Sequence, residues 1–207
     1  MFKDRHDAGE MLAKALSKYK GKKDTIVLAI PRGALQIGEV LHKRLGLPLD
    51  IIVTKKISHP VSEEYAIGAV GPDGECFLSE GALEVDPDYI IKERRRLSGA
   101  VEDRYRRYRG DRPKPRLAGK TVIIVDDGIA TGSTMLTAIR VIRKQKAKEI
   151  IVAVPVGPPE AVMMLAKEAD EIVCLATPSP FFAIGQFYGD FSQVEDEEAI
   201  AILKRCR

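Results

Sequence analysis

Residues 122–134 restrict the fold more strongly than any other segment of this 207-residue chain. Residues 122–125 are all apolar and β-branched, which is typical of a buried strand. Asp126 and Asp127 follow directly, and a stretch with helical spacing begins at Thr134. Gly128 and Gly132 allow the backbone between strand and helix to turn tightly. The segment therefore predicts a strand, a short loop and the start of a helix.

This loop combines two kinds of binding group. A helix start presents free N–H groups and a positive dipole end, which suit a phosphate. The Asp126 and Asp127 carboxylates accept hydrogen bonds, so they suit sugar hydroxyls and would repel a bare phosphate. We therefore predict a site for a phosphorylated ribose, rather than a plain turn followed by a helix cap. The predicted phosphate-binding residues are Gly128, Ile129, Ala130, Thr131, Gly132, Ser133 and Thr134.

The rest of the chain alternates between strand and helix patterns. Helices are predicted at residues 4–20, 35–45, 86–109, 134–146 and 158–169, with a short acidic helix from Glu195. Strands are predicted at residues 25–30, 49–54, 120–125, 149–154 and 171–176, with a hairpin at 66–78. This order predicts an α/β fold: a mainly parallel sheet with helices on both faces, plus a small hood and hairpin region.

The chain has no internal repeat and no clean linker. We therefore expect residues 1–207 to form a single domain. Within it, residues 55–116 are predicted to be an inserted lid with a hairpin and a helix. Residues 178–207 are predicted to be a C-terminal hood element.

The composition indicates the cellular location expected for the protein. No apolar run approaches the roughly 18 residues of a membrane helix, and the N-terminus lacks the apolar segment of a secretory signal. The three cysteines (Cys76, Cys174 and Cys206) are far apart, which argues against a disulfide framework or a Cys-rich zinc site. A reducing cytoplasm is the expected location.

One segment carries the basic character of the chain. Residues 92–116 contain eleven Lys and Arg against four Asp and Glu, a net charge of +7. Such a helix is commonly a solvated face, but it could also cover an anionic ligand, contact nucleic acid or pair with an acidic chain. No helix-turn-helix pattern accompanies it, so nucleic-acid binding is not the expected role.

Two further segments lie at the same predicted edge of the sheet. Residues 31–34, Pro-Arg-Gly-Ala, form a tight turn before a helix start and so predict a second anion site. Lys55 and Lys56 follow the second strand at the same edge. His59 lies in a loop with proline and serine and is a weak candidate for a base in a lid.

Residues 122–134 resemble the PRPP-binding signature of the type I phosphoribosyltransferases. The likeness extends from about residue 25 to 177, because the turn at residues 31–34, the hairpin and the later loop follow the family plan. Gly128 departs from the signature, which usually has an aliphatic residue there. The overall pattern is similar to that of uncharacterised predicted members of the family.

The resemblance implies transfer of ribose 5-phosphate from PRPP to a nitrogen acceptor, such as a nucleobase, with release of pyrophosphate. Mg²⁺ is expected to bind mainly through oxygens of PRPP and pyrophosphate, with few direct protein ligands, and a homodimer is usual. The catalytic residues implied are Asp126, Asp127, Arg32 and Lys55. The pyrophosphate-binding residues implied are Pro31, Arg32, Gly33, Ala34 and Lys56, with a cis peptide expected between Arg32 and Gly33.

The acceptor is less well indicated. Ala130 stands where enzymes for 6-oxopurines commonly have aspartate, which argues against such acceptors, and adenine is only weakly favoured. Aromatic residues after the last strand either form a hood over the acceptor or anchor the C-terminus as an apolar plug: Phe181, Phe182, Phe187, Tyr188 and Phe191. Two alternatives to an enzyme stay open. One is a PRPP-sensing regulator that binds nucleic acid, and the other is a domain that binds a ribose phosphate other than PRPP.

Overall fold

The computed structural model describes residues 1–206, apart from the side chains at positions 63, 64 and 73. Its main sheet has five parallel strands in the order β2-β1-β6-β7-β8. The strands of this sheet are β1 (Thr25–Ala29), β2 (Leu49–Ile51), β6 (Thr121–Val125), β7 (Glu149–Val156) and β8 (Glu171–Ala176). The predicted parallel α/β sheet is confirmed.

Six α-helices surround the strands in the described part of the chain. They are α1 (Arg5–Ala15), α2 (Ala34–Leu45), α3 (Pro87–Arg109), α4 (Ser133–Lys144), α5 (Pro159–Leu165) and α6 (Asp196–Arg205). Local signals explain several of their ends. Asp86 caps α3 by accepting a hydrogen bond from the Asp88 amide, and Gly46 ends α2 in the left-handed conformation.

The parallel strands are apolar on both faces, which is why they read as continuous apolar runs. Alternate side chains of a strand point to opposite faces of the sheet. Those on one face, such as Ile123 and Val125, form a core with α1, α2 and α6. Their neighbours Val122 and Ile124 join a second core with α4 and α5. Because the strand residues themselves are buried in these two cores, the polar side chains able to meet a ligand are those that follow the carboxyl ends of the strands.

A second, antiparallel sheet is formed by the residues between β2 and α3 in the sequence. It contains β3 (Lys55–His59), β4 (Ser62–Val70) and β5 (Cys76–Leu78). The predicted hairpin corresponds to β4 and β5, whereas the expectation of a loop around His59 was wrong. Ile57 is the one apolar residue of β3 and is fully buried. Pairing with β4, rather than its own periodicity, makes this segment a strand.

The C-terminal segment ties the two ends of the chain together. Phe2 bridges to Tyr188, and the amides of Gly189 and Asp190 donate to the carbonyls of Phe2 and Lys3. These bonds hold the start of α1 beside the residues that follow β8. None of the helices in the described residues is both long enough and apolar enough to cross a membrane.

Candidate functional site

A cavity of about 720 Å³ lies at the carboxyl ends of β1, β2 and β6. The chain leaves β1 towards β2 on one side and reaches β6 on the other, so the cavity lies where the strand order reverses. Open α/β sheets bind ligands at such a position. The polar and charged side chains of its lining are Arg5, Arg32, Thr54, Lys55, Arg104, Asp126, Asp127, Thr134 and Gln193.

Asp126 follows the last residue of β6, Val125, and lines this cavity. Its Oδ1 accepts a hydrogen bond of 2.9 Å from the amide of Asp127. Burial raises the pKa of the Asp126 carboxyl well above its usual range, and the neighbouring Asp127 carboxylate raises it further. Asp126 and Asp127 are adjacent in the chain and both line the cavity, so their carboxylates can act together on a pair of neighbouring donors.

Asp127 is held by a residue from the opposite end of the sequence. Arg5 Nε donates to Asp127 Oδ2 at 2.7 Å, and both side chains are largely buried. The Tyr188 hydroxyl donates to the Asp127 carbonyl at 2.6 Å, and burial raises the pKa of that hydroxyl. Sequence reasoning missed Arg5, because a single arginine at a helix start gives no local signal of a contact 122 positions away.

The loop at residues 128–134 forms a smaller cavity of about 170 Å³ beside the first. All seven predicted phosphate-binding residues line it, together with Asp126, Met135 and Ile184. Thr131 Oγ1 donates to Ser133 Oγ at 3.1 Å, and α4 begins at Ser133. Hydroxyls and a helix start thus converge on one small space, as a phosphate requires.

Gly128 has a packing explanation in this loop. A Cβ at this position would collide with Ile184, which follows β8, and would crowd Val156. Ile184 therefore fills the space that an aliphatic residue would otherwise take. This contact accounts for the departure from the usual family signature at Gly128.

The turn at residues 31–34 lies beside the two aspartates. Pro31, Arg32 and Gly33 line the large cavity, while Ala34 is buried at the start of α2. A cis peptide joins Pro31 to Arg32, so the predicted cis bond between Arg32 and Gly33 was misplaced by one residue. A Cβ on Gly33 would collide with the Asp127 carboxylate and lie 2.7 Å from Arg5 Nε, so only glycine allows this approach.

The two lysines of β3 differ in position. Lys55 is exposed and lines the large cavity, whereas Lys56 is half-buried and is not part of that lining. His59 lies further along β3, where its ring packs 5.6 Å from the ring of Tyr65. The structure therefore brings Lys55, but not Lys56 or His59, to the aspartates.

The basic helix α3 is engaged with the rest of the chain. Arg109 forms a buried double hydrogen bond with Asp50, at 2.6 and 2.7 Å. Arg107 pairs with Asp196 at 2.8 Å, and Asp196 also lies 3.6 Å from Arg32. Arg104 is the residue of α3 that reaches the large cavity. Much of the basic character of α3 thus serves contacts within the chain.

The five aromatic residues predicted to form either a hood or an apolar plug have different surroundings. Phe181 and Phe187 pack on each other with ring centres 5.1 Å apart and border the core, and Tyr188 is buried. Phe182 is 82% exposed. The fifth, Phe191, lines the large cavity, and its ring lies 3.9 Å from the Arg5 guanidinium carbon.

Comparison with known proteins identifies the family. A family model described as phosphoribosyl transferase domain matches residues 3–189. A Mycobacterium tuberculosis protein, named provisionally as a phosphoribosyl transferase, is 40% identical over the full length of this chain. The chain spans 47% of the length of that curated relative.

Two other matches differ in extent. The crystal structure of TT1426 from Thermus thermophilus is 40% identical, with a TM-score of 0.92, and the match covers 99% of this chain and 98% of that one. A ribose-phosphate pyrophosphokinase from Sulfurisphaera tokodaii is 42% identical over 69 residues, which is 33% of this chain and 22% of that protein. On the family match and the full-length similarity, this chain belongs to the phosphoribosyl transferase domain family.

Proposed function

We propose that the protein transfers ribose 5-phosphate from PRPP to a nitrogen acceptor and releases pyrophosphate. One observation carries this proposal: Asp126 and Asp127 lie between two turns whose chemistry suits anions, at the same edge of the sheet. The turn at residues 31–34 is on one side and the loop at residues 128–134 on the other. This order, with hydrogen-bond acceptors between two turns that suit anions, supports a ribose with a phosphate at one end and pyrophosphate at the other.

Each part of the site has a role in this proposal. The Asp126 and Asp127 carboxylates accept hydrogen bonds from the two ribose hydroxyls. The amides and hydroxyls at residues 131–134 hold the 5′-phosphate at the start of α4. Arg32 and Lys55, with Pro31, Gly33 and Ala34 shaping the turn, stabilise the charge that grows on the leaving pyrophosphate. Lys56 does not line the cavity, so we assign it only a long-range electrostatic effect on pyrophosphate.

The reaction places few covalent demands on the protein. The bond between the anomeric carbon and pyrophosphate breaks, a bond from the acceptor nitrogen forms, and the acceptor gives up a proton. Holding the two reactants in line and supplying fixed positive charge are therefore the main contributions of the chain. Phe191 and Gln193 border the cavity where an acceptor would approach. For Phe181, Phe187 and Tyr188, the packing favours an anchoring role over a hood, whereas the exposed Phe182 has no such packing.

Mg²⁺ belongs to the proposal as a partner of PRPP. Among residues 1–206, leaving aside the side chains at 63, 64 and 73, no group of three or more His, Cys, Asp or Glu is arranged to hold a metal ion. The oxygens of PRPP and pyrophosphate are the hard ligands that Mg²⁺ prefers. The ion would neutralise phosphate charge. A single domain with a lid at residues 55–116, a homodimer and a cytoplasmic location remain expectations from the sequence.

The test is acceptor-dependent release of pyrophosphate from PRPP and Mg²⁺, measured with a panel of purine and pyrimidine bases and other nitrogen acceptors. We expect release with at least one acceptor and its loss in Asp127→Asn. Asp24→Asn is the matched control, because Asp24 is an exposed aspartate just before β1, at the opposite edge of the sheet. Binding of PRPP without release for any acceptor would favour the PRPP-sensing regulator instead. Absence of PRPP binding would favour a domain for another ribose phosphate.

A further inference from the structure

Arg5 has contacts that set it apart from the other cationic residues of the cavity. Its side chain is 7% exposed, although it belongs to the first turn of α1. Its Nε binds Asp127 Oδ2 at 2.7 Å, and its Nη1 binds the Ser192 carbonyl at 2.8 Å. Its guanidinium group packs on the Phe191 ring at 3.9 Å. These contacts fix the whole guanidinium group, whereas a lysine could not make two such directed bonds with a planar group.

The same arginine connects three parts of the proposed PRPP site. It binds Asp127 of the ribose-binding pair, its Nε lies against Gly33 of the pyrophosphate turn, and it lines the cavity itself. The C-terminal segment holds the Arg5 side chain through the Ser192 carbonyl and the Phe191 ring. A shift of the Arg5 side chain would therefore change the orientation of Asp127 relative to the turn at residues 31–34.

We propose that Arg5 is a positioning residue of the phosphoribosyl-transfer site: by engaging Asp127 Oδ2 it fixes the rotamer of that carboxylate and directs Oδ1 to a ribose hydroxyl. This inference rests on the proposed function, because it assigns Arg5 a role in the binding of PRPP. Arg5 acts through Asp127, and it adds a residue from the N-terminal helix to a site otherwise built at the ends of β1, β2 and β6.

The charge of Arg5 has a second effect in the same site. Asp126 and Asp127 repel each other when both are ionised, and the Arg5 cation lowers the pKa of Asp126 against that repulsion. The charged groups that share the cavity with Asp126 are Arg5, Arg32, Lys55, Arg104 and Asp127. Loss of the Arg5 charge should therefore make Asp126 ionise at higher pH, which a purely structural role in α1 would not do.

The experiment is calorimetric titration of PRPP with Mg²⁺ into the full chain from pH 5 to 9, for wild type, Arg5→Gln and Arg5→Lys. Pyrophosphate release is measured in parallel with whichever acceptor the wild type uses. Arg44→Gln is the matched control, since Arg44 binds both oxygens of Glu10 on α1 at 2.8 Å but lies on the outer surface. Thermal melting of each variant without ligand reports whether it is folded.

We expect Arg5→Gln to weaken PRPP binding at least tenfold at neutral pH and to move the acidic limb of the binding profile to higher pH. Arg5→Lys should keep the acidic limb near that of wild type, because the charge remains, but should bind PRPP more weakly. Turnover in both variants should fall by about a hundredfold, as expected for a displaced reacting group. Arg44→Gln should match wild type.

The inference is overturned if folded Arg5→Gln binds PRPP as wild type does, with the same acidic limb. If Arg5→Gln does not fold, Arg5→Lys decides: wild-type affinity and turnover in that variant would equally contradict a positioning role. Failure of the proposed function looks different, because the wild type itself would then not bind PRPP or would release no pyrophosphate.

Discussion

Arg5 and Asp127, 122 positions apart in the sequence, form a largely buried ion pair with 2.7 Å between Arg5 Nε and Asp127 Oδ2. The pair joins the first helix to the loop after β6. Because a buried charge without its partner is costly, the pair favours one relative position of these two segments. Gly33 packs directly against the pair, so the turn after β1 shares in the same arrangement.

Gly33→Ala tests this close packing. The added Cβ would collide with the Asp127 carboxylate, so we expect a loss of about 1–3 kcal/mol in the free energy of unfolding and much weaker PRPP binding. Gly99→Ala is the matched control, because Gly99 lies inside α3 and a Cβ added there would meet no atom within 4 Å. That change should stabilise the protein by about 0.5–1 kcal/mol. Denaturant unfolding and calorimetry measure both quantities, and equal stability changes in the two variants would contradict the packing argument.

Asp126→Asn tests whether the Asp126 carboxyl, proposed to bind a ribose hydroxyl, destabilises the ligand-free protein. Its pKa is raised in the folded state, so the unfolded chain loses this proton first as the pH rises. Its contribution to stability is therefore full below the unfolded value of about 3.9 and declines as the pH rises to the folded pKa. We expect Asp126→Asn to have a higher Tm than wild type at pH 7, and the difference to shrink towards pH 4.

The measurement is thermal melting of wild type and Asp126→Asn across that pH range without ligand. PRPP binding by the variant should be weakened at pH 7, since an amide is a poorer acceptor than a carboxylate for ribose hydroxyls. A Tm difference that does not change with pH would contradict the raised pKa.

Tyr188→Phe tests the support of Asp127 from the C-terminal segment. Removing the hydroxyl leaves the Asp127 carbonyl without this donor, so we expect a loss of about 1–3 kcal/mol in stability together with weaker PRPP binding. Tyr89→Phe is the control, because the Tyr89 hydroxyl donates in a similar way to the Ser58 carbonyl in the small antiparallel sheet. Chemical unfolding should register both changes, but only Tyr188→Phe should alter calorimetric PRPP binding. An unchanged affinity in Tyr188→Phe would show that the Tyr188 hydroxyl does not support PRPP binding through Asp127.

Arg109→Ala tests the structural part of the basic helix. Arg109 makes two short hydrogen bonds with the buried Asp50, so its removal should cost about 3–5 kcal/mol in the free energy of unfolding. Arg106→Ala removes a neighbouring charge whose ion pair with Glu102 spans 3.8 Å at the surface, and it should cost less than about 1 kcal/mol. Urea unfolding of the two variants measures the difference. Similar costs would show that the pair with Asp50 has no special weight.

The loop after β6 could be predicted because its signals are local. Strand residues, carboxylates, glycines and hydroxyls follow one another within thirteen positions, and the structure places them as expected at the end of β6 and the start of α4. The βαβ unit formed by β1, α2 and β2 was predictable for the same reason. In both cases periodicity and turn residues act on neighbouring parts of the chain.

Other features depend on contacts that the local sequence does not carry. Arg5 lies at a helix start where a charged residue is commonly solvated, and its partner belongs to a distant strand end. Ile184 explains Gly128 only through packing across the end of the sheet. Lys55–His59 lacks an apolar alternation, so its pairing with β4 could not be read from its own residues.

The decisive experiment is calorimetric titration of PRPP with Mg²⁺ into wild type and into the double variant Asp126→Asn/Asp127→Asn, with both shown to be folded by thermal melting. We expect saturable binding of PRPP by wild type and none by the double variant at the same concentrations. Absence of binding by folded wild-type protein, or equal binding by both, would contradict the assignment of Asp126 and Asp127 as the ribose-binding pair.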